Sequence, residues 1–211
     1  MGTLELKLRD RVLKRAMDIV GGLVGCIISV PIIAITAIPL KLESPGPLIF
    51  KQKRVGLNGR VFYIHKLRSM YMDAEERKKS LMTQNEMNGL MFKMQDDPRI
   101  TKVGKFIRKT SIDEMPQLFN VLFGSMSLVG PRPERPYFVE RFKEEIPRYM
   151  IKHQVRPGMT GWAQVNGYRG DTSITKRIEH DLYYIENWTL GWAFKILFLT
   201  FFKGFINKNA Y

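Results

Sequence analysis

Hydrophobic residues are concentrated in one long segment near the start of the chain, residues 19–40, which contains no charged side chain. As a helix rising about 1.5 Å per residue it would be about 33 Å long, close to the hydrocarbon thickness of a bilayer. Pro31 stands near its middle and bends or breaks a helix, while the Ser29 hydroxyl can bond a carbonyl freed there. Basic residues lie on both sides, and positive charge favours the cytoplasmic end of a membrane segment. The pattern predicts a helix-break-helix hairpin over residues 11–41 that enters the membrane and returns, with a kinked single span as the alternative.

Shorter alternations of apolar and polar residues lie on either side of this segment. Residues 4–15 predict a basic amphipathic helix that leads into the membrane. Two strand-like runs, residues 48–52 and 61–64, are separated by Gly-Leu-Asn-Gly and predict a β-hairpin.

Two further helices are predicted in the rest of the chain. Residues 72–90 are polar with scattered Met and Leu, which is typical of a surface helix and loop. Residues 188–205 are rich in Trp, Phe and Leu and predict a helix that lies at the membrane interface or, equally, in the core. Since no repeat or linker divides the chain, the predicted fold is a single α+β, mostly helical domain over residues 1–211, with a small β-hairpin and interfacial amphipathic helices.

The charge balance limits the kinds of partner. Lys and Arg total 34 against 20 Asp and Glu, for a net charge of +14, so anionic partners are expected. The basic residues form no recognisable nucleic-acid motif, which favours membrane lipids and a phosphorylated substrate over nucleic acid. Cys26 is the only cysteine, so a disulfide or a cysteine metal cluster within the chain is excluded. The histidines lack metal-ligand spacing, which disfavours zinc.

Asp113 and Glu114 are the strongest candidates for chemistry. Ser111 with Glu114 three residues later matches a capping box, and Pro116 is tolerated in a first turn, so a helix is predicted to begin here. A helix N-terminus stabilises a carboxylate and attracts phosphate, which suits a nucleophile or a metal ligand. Ordinary helix capping is the alternative.

Arginines beside rigid Gly and Pro turns form a second group of candidates. The turns are Gly130-Pro131-Arg132-Pro133, Arg156-Pro157-Gly158 and Gly167-Tyr168-Arg169-Gly170. Such turns can hold a guanidinium for a bidentate grip on phosphate, so with Arg108 they predict a pyrophosphate site. Trp162 and Gln164 could contact a base or a sugar, although a core tryptophan and a loop amide are the more usual roles.

The order of motifs over nearly the whole chain resembles the bacterial sugar transferases, or monotopic phosphoglycosyl transferases. The matching motifs are Lys66-Leu67-Arg68-Ser69-Met70, Asp97-Pro98-Arg99, Thr110-Ser111-Ile112-Asp113-Glu114, Met126-Ser127-Leu128-Val129-Gly130-Pro131-Arg132-Pro133 and Val155-Arg156-Pro157-Gly158-Met159-Thr160-Gly161-Trp162-Ala163-Gln164-Val165-Asn166-Gly167.

The resemblance implies transfer of a sugar 1-phosphate from a UDP-sugar to undecaprenyl phosphate, with release of UMP, at the cytoplasmic face of the bacterial inner membrane. Residues 42–211 would be the cytoplasmic catalytic part. Asp113 would be the nucleophile, and it would bind magnesium (Mg²⁺) together with Glu114. Lys66 and Arg68, from the first motif, would join Arg108, Arg132, Arg156 and Arg169 in binding phosphate.

Departures from the family pattern affect two positions. Val30 precedes Pro31 where small members have Ser, and Tyr168 follows Asn-Gly where they tend to have Arg. The 72–90 insert and the Asn209-Ala210-Tyr211 ending resemble larger members, whose chains carry additional N-terminal transmembrane helices. The sugar (glucose, galactose or an N-acetylated sugar) and a homodimer are left open. The alternative functions are a noncatalytic membrane-docking protein that binds anionic lipids and a sugar transferase that releases UDP.

Overall fold

The computed structural model describes residues 7–81, 94, 96–168 and 172–203. Its α-helices are α1 (Leu8–Glu43), α2 (Ala74–Leu81), α3 (Lys102–Lys109), α4 (Gln117–Leu122), α5 (Pro136–Glu145), α6 (Trp162–Val165), α7 (Ile174–Glu186) and α8 (Leu190–Lys203). Its strands are β1 (Ile49–Val55), β2 (Val61–Leu67), β3 (Ser127–Val129) and β4 (Gly158–Thr160). Short 3₁₀ turns lie at Leu57–Gly59, Ile112–Glu114 and Tyr149–Gln154. The predicted α+β, mostly helical fold class is confirmed.

Helix α1 is helical over all of its 36 residues, with Pro31 and Pro39 inside it. The predicted break at Pro31 is therefore wrong. The missing N–H removes one hydrogen bond, but packing holds the helix on both sides of the proline, because Cys26 and Leu40 are buried in separate core clusters. The Ser29 hydroxyl donates to the Cys26 carbonyl at 3.4 Å. The carbonyl that loses its helical N–H partner at Pro31 is that of the next residue, Ile27.

Of the amphipathic helix predicted over residues 4–15, residues 8–15 are helical and form the first turns of α1, and residues 4–6 lie outside the described part. Among the described residues, α1 is the one helix long and apolar enough to cross a bilayer. One side of α1 carries exposed aliphatic side chains spaced about one helical turn apart, which we call the exposed face of α1. Its members are Val20, Val24, Ile27, Ile35, Ile38 and Leu42.

The opposite side of α1 packs on the rest of the domain. Near the start of the helix, Lys14 Nζ donates to Ser127 Oγ at 2.7 Å and to the Val129 carbonyl at 2.8 Å. At its end, the Glu43 carboxylate accepts the backbone N–H groups of Lys102 at 2.6 Å and Val103 at 2.8 Å. Polar contacts therefore attach both ends of this apolar helix to one folded domain.

Strands β1 and β2 form the predicted antiparallel hairpin, in register from Ile49 opposite Leu67 to Val55 opposite Val61. Both strands run three residues further than predicted, to Val55 and Leu67. The extension includes charged residues, since ladder hydrogen bonds need only backbone groups and a half-exposed sheet tolerates charge on its open side. This extension carries Lys66 toward the acidic pair.

Strands β3 and β4 form a short parallel pair that the sequence pattern did not predict. Gly158 is required in it, because a Cβ there would lie 2.1 Å from the Gly130 nitrogen. The main core lies beside this pair and takes Val129 from β3 and Ile196 from α8. Helix α8 buries Ile196 in the core, as the core alternative requires, and exposes Phe198 and Phe201. The position of α8 at a membrane interface stays a prediction. Of the predicted 72–90 helix, residues 74–81 form α2 and residues 82–90 lie outside the described part.

Candidate active site

The acidic pair lies in the 3₁₀ turn Ile112–Glu114, between α3 and α4. The predicted capping box is not formed. Ser111 has a left-handed backbone (φ 57°), and its side chain makes no capping hydrogen bond, because an N-cap side chain reaches the next turn from an extended backbone. Helix α4 begins only at Gln117, after Pro116. Asp113 and Glu114 therefore stand in a tight turn before the helix rather than in its first turn.

Both carboxylates are buried and face cations from distant parts of the chain. Asp113 is 4% exposed and Glu114 is 9% exposed. Lys66 on β2 places Nζ 2.8 Å from Glu114 Oε1 and 3.8 Å from Asp113 Oδ2. Arg132, in the loop after β3, donates to the same Glu114 oxygen at 2.6 Å. Two cations thus meet at one oxygen of Glu114, while Asp113 has a looser ion pair.

Burial and the charge of Lys66 have opposite effects on the pKa of Asp113. Loss of hydration raises the pKa of Asp113, because burial disfavours the charged form, and the nearby Lys66 charge acts in the opposite direction. The Glu114 charge raises this pKa as well. Burial also lowers the pKa of Lys66, against the attraction of Glu114. The site is a partly desolvated group of charges of both signs.

Arg108, in the last turn of α3, borders the acidic pair. Its Nε donates to Ser69 Oγ at 2.7 Å, and its charge opposes the rise that burial causes in the pKa of Asp113. Lys66, Arg108 and Arg132 are therefore the predicted phosphate ligands whose charges surround the pair.

Two of the other predicted phosphate ligands have contacts elsewhere. Arg68 donates to Ser44 Oγ and to the Pro45 carbonyl, both at 3.1 Å, and to the Ser44 carbonyl, so that it braces the loop after α1. Arg156 Nε donates to the Gly124 carbonyl at 2.9 Å, and Arg156 lines a small cavity beside Lys14. Arg169 lies outside the described residues.

Trp162 and Gln164 lie together on α6. The Trp162 ring is 4.8 Å from the Trp192 ring and packs on the main core, and Gln164 is 8% exposed. This packing fits the core tryptophan that was the alternative for Trp162, whereas Gln164 is buried on a helix and is not a loop amide.

The acidic pair fits one kind of metal site. Among the described residues no group of three or more His, Cys, Asp or Glu side chains could enclose a cation. Mg²⁺, however, commonly binds through one or two carboxylates and completes its octahedron with water and substrate phosphates. Asp113 and Glu114 supply that donor set, so the residues fit a magnesium ion that is bound together with a phosphorylated substrate.

Several residues that build the site were not found from the sequence. Asn120 on α4 accepts the His65 N–H at 3.1 Å and donates to the Tyr63 carbonyl at 2.7 Å, which joins α4 to β2 beside Lys66. Asp18, 1% exposed, accepts hydrogen bonds from Ser127 Oγ and from the Leu128 N–H. Asp18 carried a usable signal, because it is an acidic residue directly before an uncharged apolar run; no pattern marked Asn120.

The fold and the site define a class: α+β proteins with a long apolar helix packed on a domain that holds a buried Asp-Glu pair among cations. The chain belongs to the bacterial sugar transferase family, whose family model matches residues 9–207.

The chain is similar to curated proteins with related names. It is 46% identical over 206 residues to the UDP-glucose:undecaprenyl-phosphate glucose-1-phosphate transferase of Escherichia coli K12, an alignment that covers 96% of this chain and 42% of that protein. It is 48% identical over 190 residues to the UDP-N-acetylgalactosamine-undecaprenyl-phosphate N-acetylgalactosaminephosphotransferase of Aeromonas hydrophila, covering 89% and 42%. It is 39% identical over 209 residues to the exopolysaccharide production protein PSS of Rhizobium leguminosarum, covering 93% and 100%. The chain thus spans about two fifths of the first two relatives and the whole length of the third.

Proposed function

We propose that this chain transfers a sugar 1-phosphate from a UDP-sugar to undecaprenyl phosphate and releases UMP, as the first membrane step in the synthesis of a bacterial polysaccharide. The names of the Escherichia coli and Aeromonas relatives support the donor and acceptor classes. The observation that carries the proposal is that Glu114 has shorter ion pairs than Asp113. Among the described residues, Glu114 pairs with Arg132 at 2.6 Å and with Lys66 at 2.8 Å, whereas the ion pair of Asp113 with Lys66 is 3.8 Å long. A fixed Glu114 and a less restrained, desolvated Asp113 suit a helper and a nucleophile respectively.

The reaction takes place in two displacements at one phosphorus atom. A carboxylate oxygen of Asp113 attacks the sugar-linked phosphorus, and the bond from that phosphorus to the bridging oxygen breaks with its electron pair leaving on UMP. A phosphate oxygen of the lipid then attacks the same phosphorus, and the bond to Asp113 breaks, which restores the carboxylate. The products are UMP and a lipid diphosphate sugar.

The cations around the pair neutralise the phosphate charge in both steps. Lys66 and Arg132 pair with Glu114, and the charge of Arg108 acts on Asp113, so these three cations are the phosphate ligands that we assign. Asp113 and Glu114 would hold Mg²⁺, which when bound would neutralise charge on the pyrophosphate. Arg169 stays a predicted ligand.

Helix α1 supports a placement on one side of the membrane. At 36 residues it would be about 54 Å long, and an upright crossing would put its two ends on opposite faces. Lys14 and Glu43, near these ends, nevertheless both bind the same domain. We therefore propose that α1 inserts from the cytoplasmic face of the inner membrane and turns the exposed face of α1 toward lipid. Phe106 on α3 and Phe123 directly after α4 are exposed, and since both helices pack on α1, these side chains would add to this surface.

A nucleotide-release assay tests the reaction. The chain in detergent or nanodiscs is mixed with a panel of UDP-sugars, with and without undecaprenyl phosphate. We expect UMP rather than UDP, and one equivalent of UMP per enzyme in the absence of lipid acceptor. Asp113→Asn should abolish both. Asp96→Asn serves as the matched control, since its side chain is 88% exposed and its ion pair is with Lys105.

The alternative outcomes separate the competing functions. UDP as the product would indicate a transferase that forms no phosphosugar intermediate. Salt-sensitive liposome binding without any nucleotide release would indicate the noncatalytic docking protein. A normal rate of UMP formation by Asp113→Asn would show that another residue is the nucleophile.

A further inference from the structure

The loop that presents Arg132 to Glu114 is attached to the domain at both of its ends. On its first side, the Gly158 N–H donates to the Pro131 carbonyl at 2.9 Å. On its second side, Arg54 donates to the Pro133 carbonyl at 2.9 Å. The prolines restrict the backbone on either side of Arg132, but only such outside contacts can fix the distance of the loop from Glu114.

Glu134 follows this loop and is the point where the second attachment is made. Its carbonyl accepts the Val55 N–H at 2.9 Å, at the end of β1. Its carboxylate is buried between two guanidinium groups, 3.7 Å from Arg54 on β1 and 3.4 Å from Arg177 on α7. One carboxylate therefore ties the loop to both the hairpin and α7.

We propose that Glu134 is a positioning residue for the transfer reaction: by binding Arg54 and Arg177 it holds the Pro-Arg-Pro loop where Arg132 reaches the Glu114 carboxylate. This inference rests on the proposed function. Glu134 itself contacts neither Asp113 nor Glu114 in any of its described hydrogen bonds or ion pairs.

The balance of charge gives Glu134 a second effect on the site. Arg54 is buried, and its charge interacts with Arg132 and Glu114 as well as with Glu134. Without the Glu134 charge, Arg54 would repel Arg132 and compete with it for Glu114. The same hairpin carries Lys66, opposite Phe50, so a shift of β1 would move Lys66 as well as Arg132 relative to Glu114.

Glu134→Gln removes the charge at nearly constant shape and is the main test. We expect the rate of UMP release at saturating UDP-sugar to fall about 10- to 100-fold, because small displacements of a binding group are costly in catalysis. Glu134→Asp, which keeps the charge, should recover part of the rate. Glu140→Gln, an exposed change on α5 where Glu140 pairs with Lys143, should leave it unchanged.

A double-mutant cycle separates positioning from general damage to the fold. If Glu134 acts through Arg132, Glu134→Gln should slow an Arg132→Gln enzyme by less than threefold, whereas independent effects would multiply. If Glu134→Gln does not fold, Arg54→Lys replaces it in the cycle, since that change keeps the charge but loses the guanidinium fork at the Pro133 carbonyl. Arg54→Lys should likewise slow the enzyme, and it should slow the Arg132→Gln enzyme by less than threefold.

The outcomes are distinct. A rate for Glu134→Gln equal to that of the unaltered enzyme, or effects that multiply in the cycle, would overturn this inference and leave the proposed function standing. Absence of UMP release by the unaltered enzyme would overturn the proposed function and this inference with it.

Discussion

Asp18→Asn is predicted to loosen the attachment of α1 to the rest of the domain. Asp18 is 1% exposed, and one of its carboxylate oxygens accepts hydrogen bonds from Ser127 Oγ at 2.8 Å and from the Leu128 N–H at 2.9 Å. Lys14, also buried, donates to the same Ser127 hydroxyl. Substitution by Asn keeps the shape but leaves the Lys14 charge without its buried counter-charge.

The magnitude follows from these contacts. Removing one partner of a directly paired buried charge costs about 3 to 5 kcal/mol, and Lys14 and Asp18 are linked through the Ser127 hydroxyl instead of directly. We expect the lower end, about 3 kcal/mol, because the amide oxygen can still accept the Leu128 N–H. For a chain of this length, each kcal/mol lowers the melting temperature by about 2 to 4 °C, so the predicted loss is about 6 to 12 °C.

Thermal unfolding in nanodiscs, followed by tryptophan fluorescence, measures this loss. Asp96→Asn is the control and should change the free energy of unfolding by less than about 0.5 kcal/mol, as is usual for an exposed side chain. Ser127→Ala combined with Asp18→Asn should cost less than the sum of the two changes, because the two side chains share a hydrogen bond. Equal melting temperatures of Asp18→Asn and the control would refute the proposed attachment of α1 through Asp18.

Two further predictions concern charge at the site and in the core. Lys66→Met should lower the rate of UMP release by about 100-fold or more. The loss should be greatest at low pH, because Lys66 is the main charge that opposes the raised pKa of Asp113, and without it more Asp113 is protonated. An unchanged pH profile of nucleotide release would contradict this role. His153 is buried, and burial, helped by the charge of Lys152, lowers its pKa from 6.5 to about 4. Since the unfolded chain then binds the proton more readily, stability is complete above pH 6.5 and is lost as the pH falls toward 4, by about 2 kcal/mol between pH 7 and pH 5. His153→Gln should remove this part of the pH dependence in thermal melting, and a variant that keeps the full dependence would exclude His153 as its source.

Local sequence signals predicted the β-hairpin correctly, because the turn Gly-Leu-Asn-Gly and the two strand-like runs beside it are all close together in the chain. Tertiary context overruled other local signals. The Ser-x-x-Glu pattern did not form a capping box, since Ser111 takes a left-handed backbone that brings Asp113 toward Lys66. Pro31 did not end α1, since packing on both sides of it outweighs one missing hydrogen bond.

The predicted arginine ligands show the same contrast between local sequence signals and tertiary contacts. Arg132 and Arg156 both stand beside turns made of Gly and Pro, and neither sequence shows which of the two arginines reaches the acidic pair. Arg132 reaches Glu114 because β3 and the loop after it carry it there, whereas Arg156 binds the carbonyl of Gly124.

Properties that depend on neighbouring residues could therefore be deduced from the chain alone: the apolar helix, the hairpin, the Asp-Glu pair and the excess of positive charge. Which residues form the site could not be deduced from the chain alone, because the site depends on contacts between residues far apart in the chain. Lys66 and Glu114 are 48 residues apart, and Lys14 and Val129 are 115 apart. Such contacts form only when packing of the core brings the elements together, and that packing selects which of many similar cations surround Asp113 and attaches both ends of α1 to one domain.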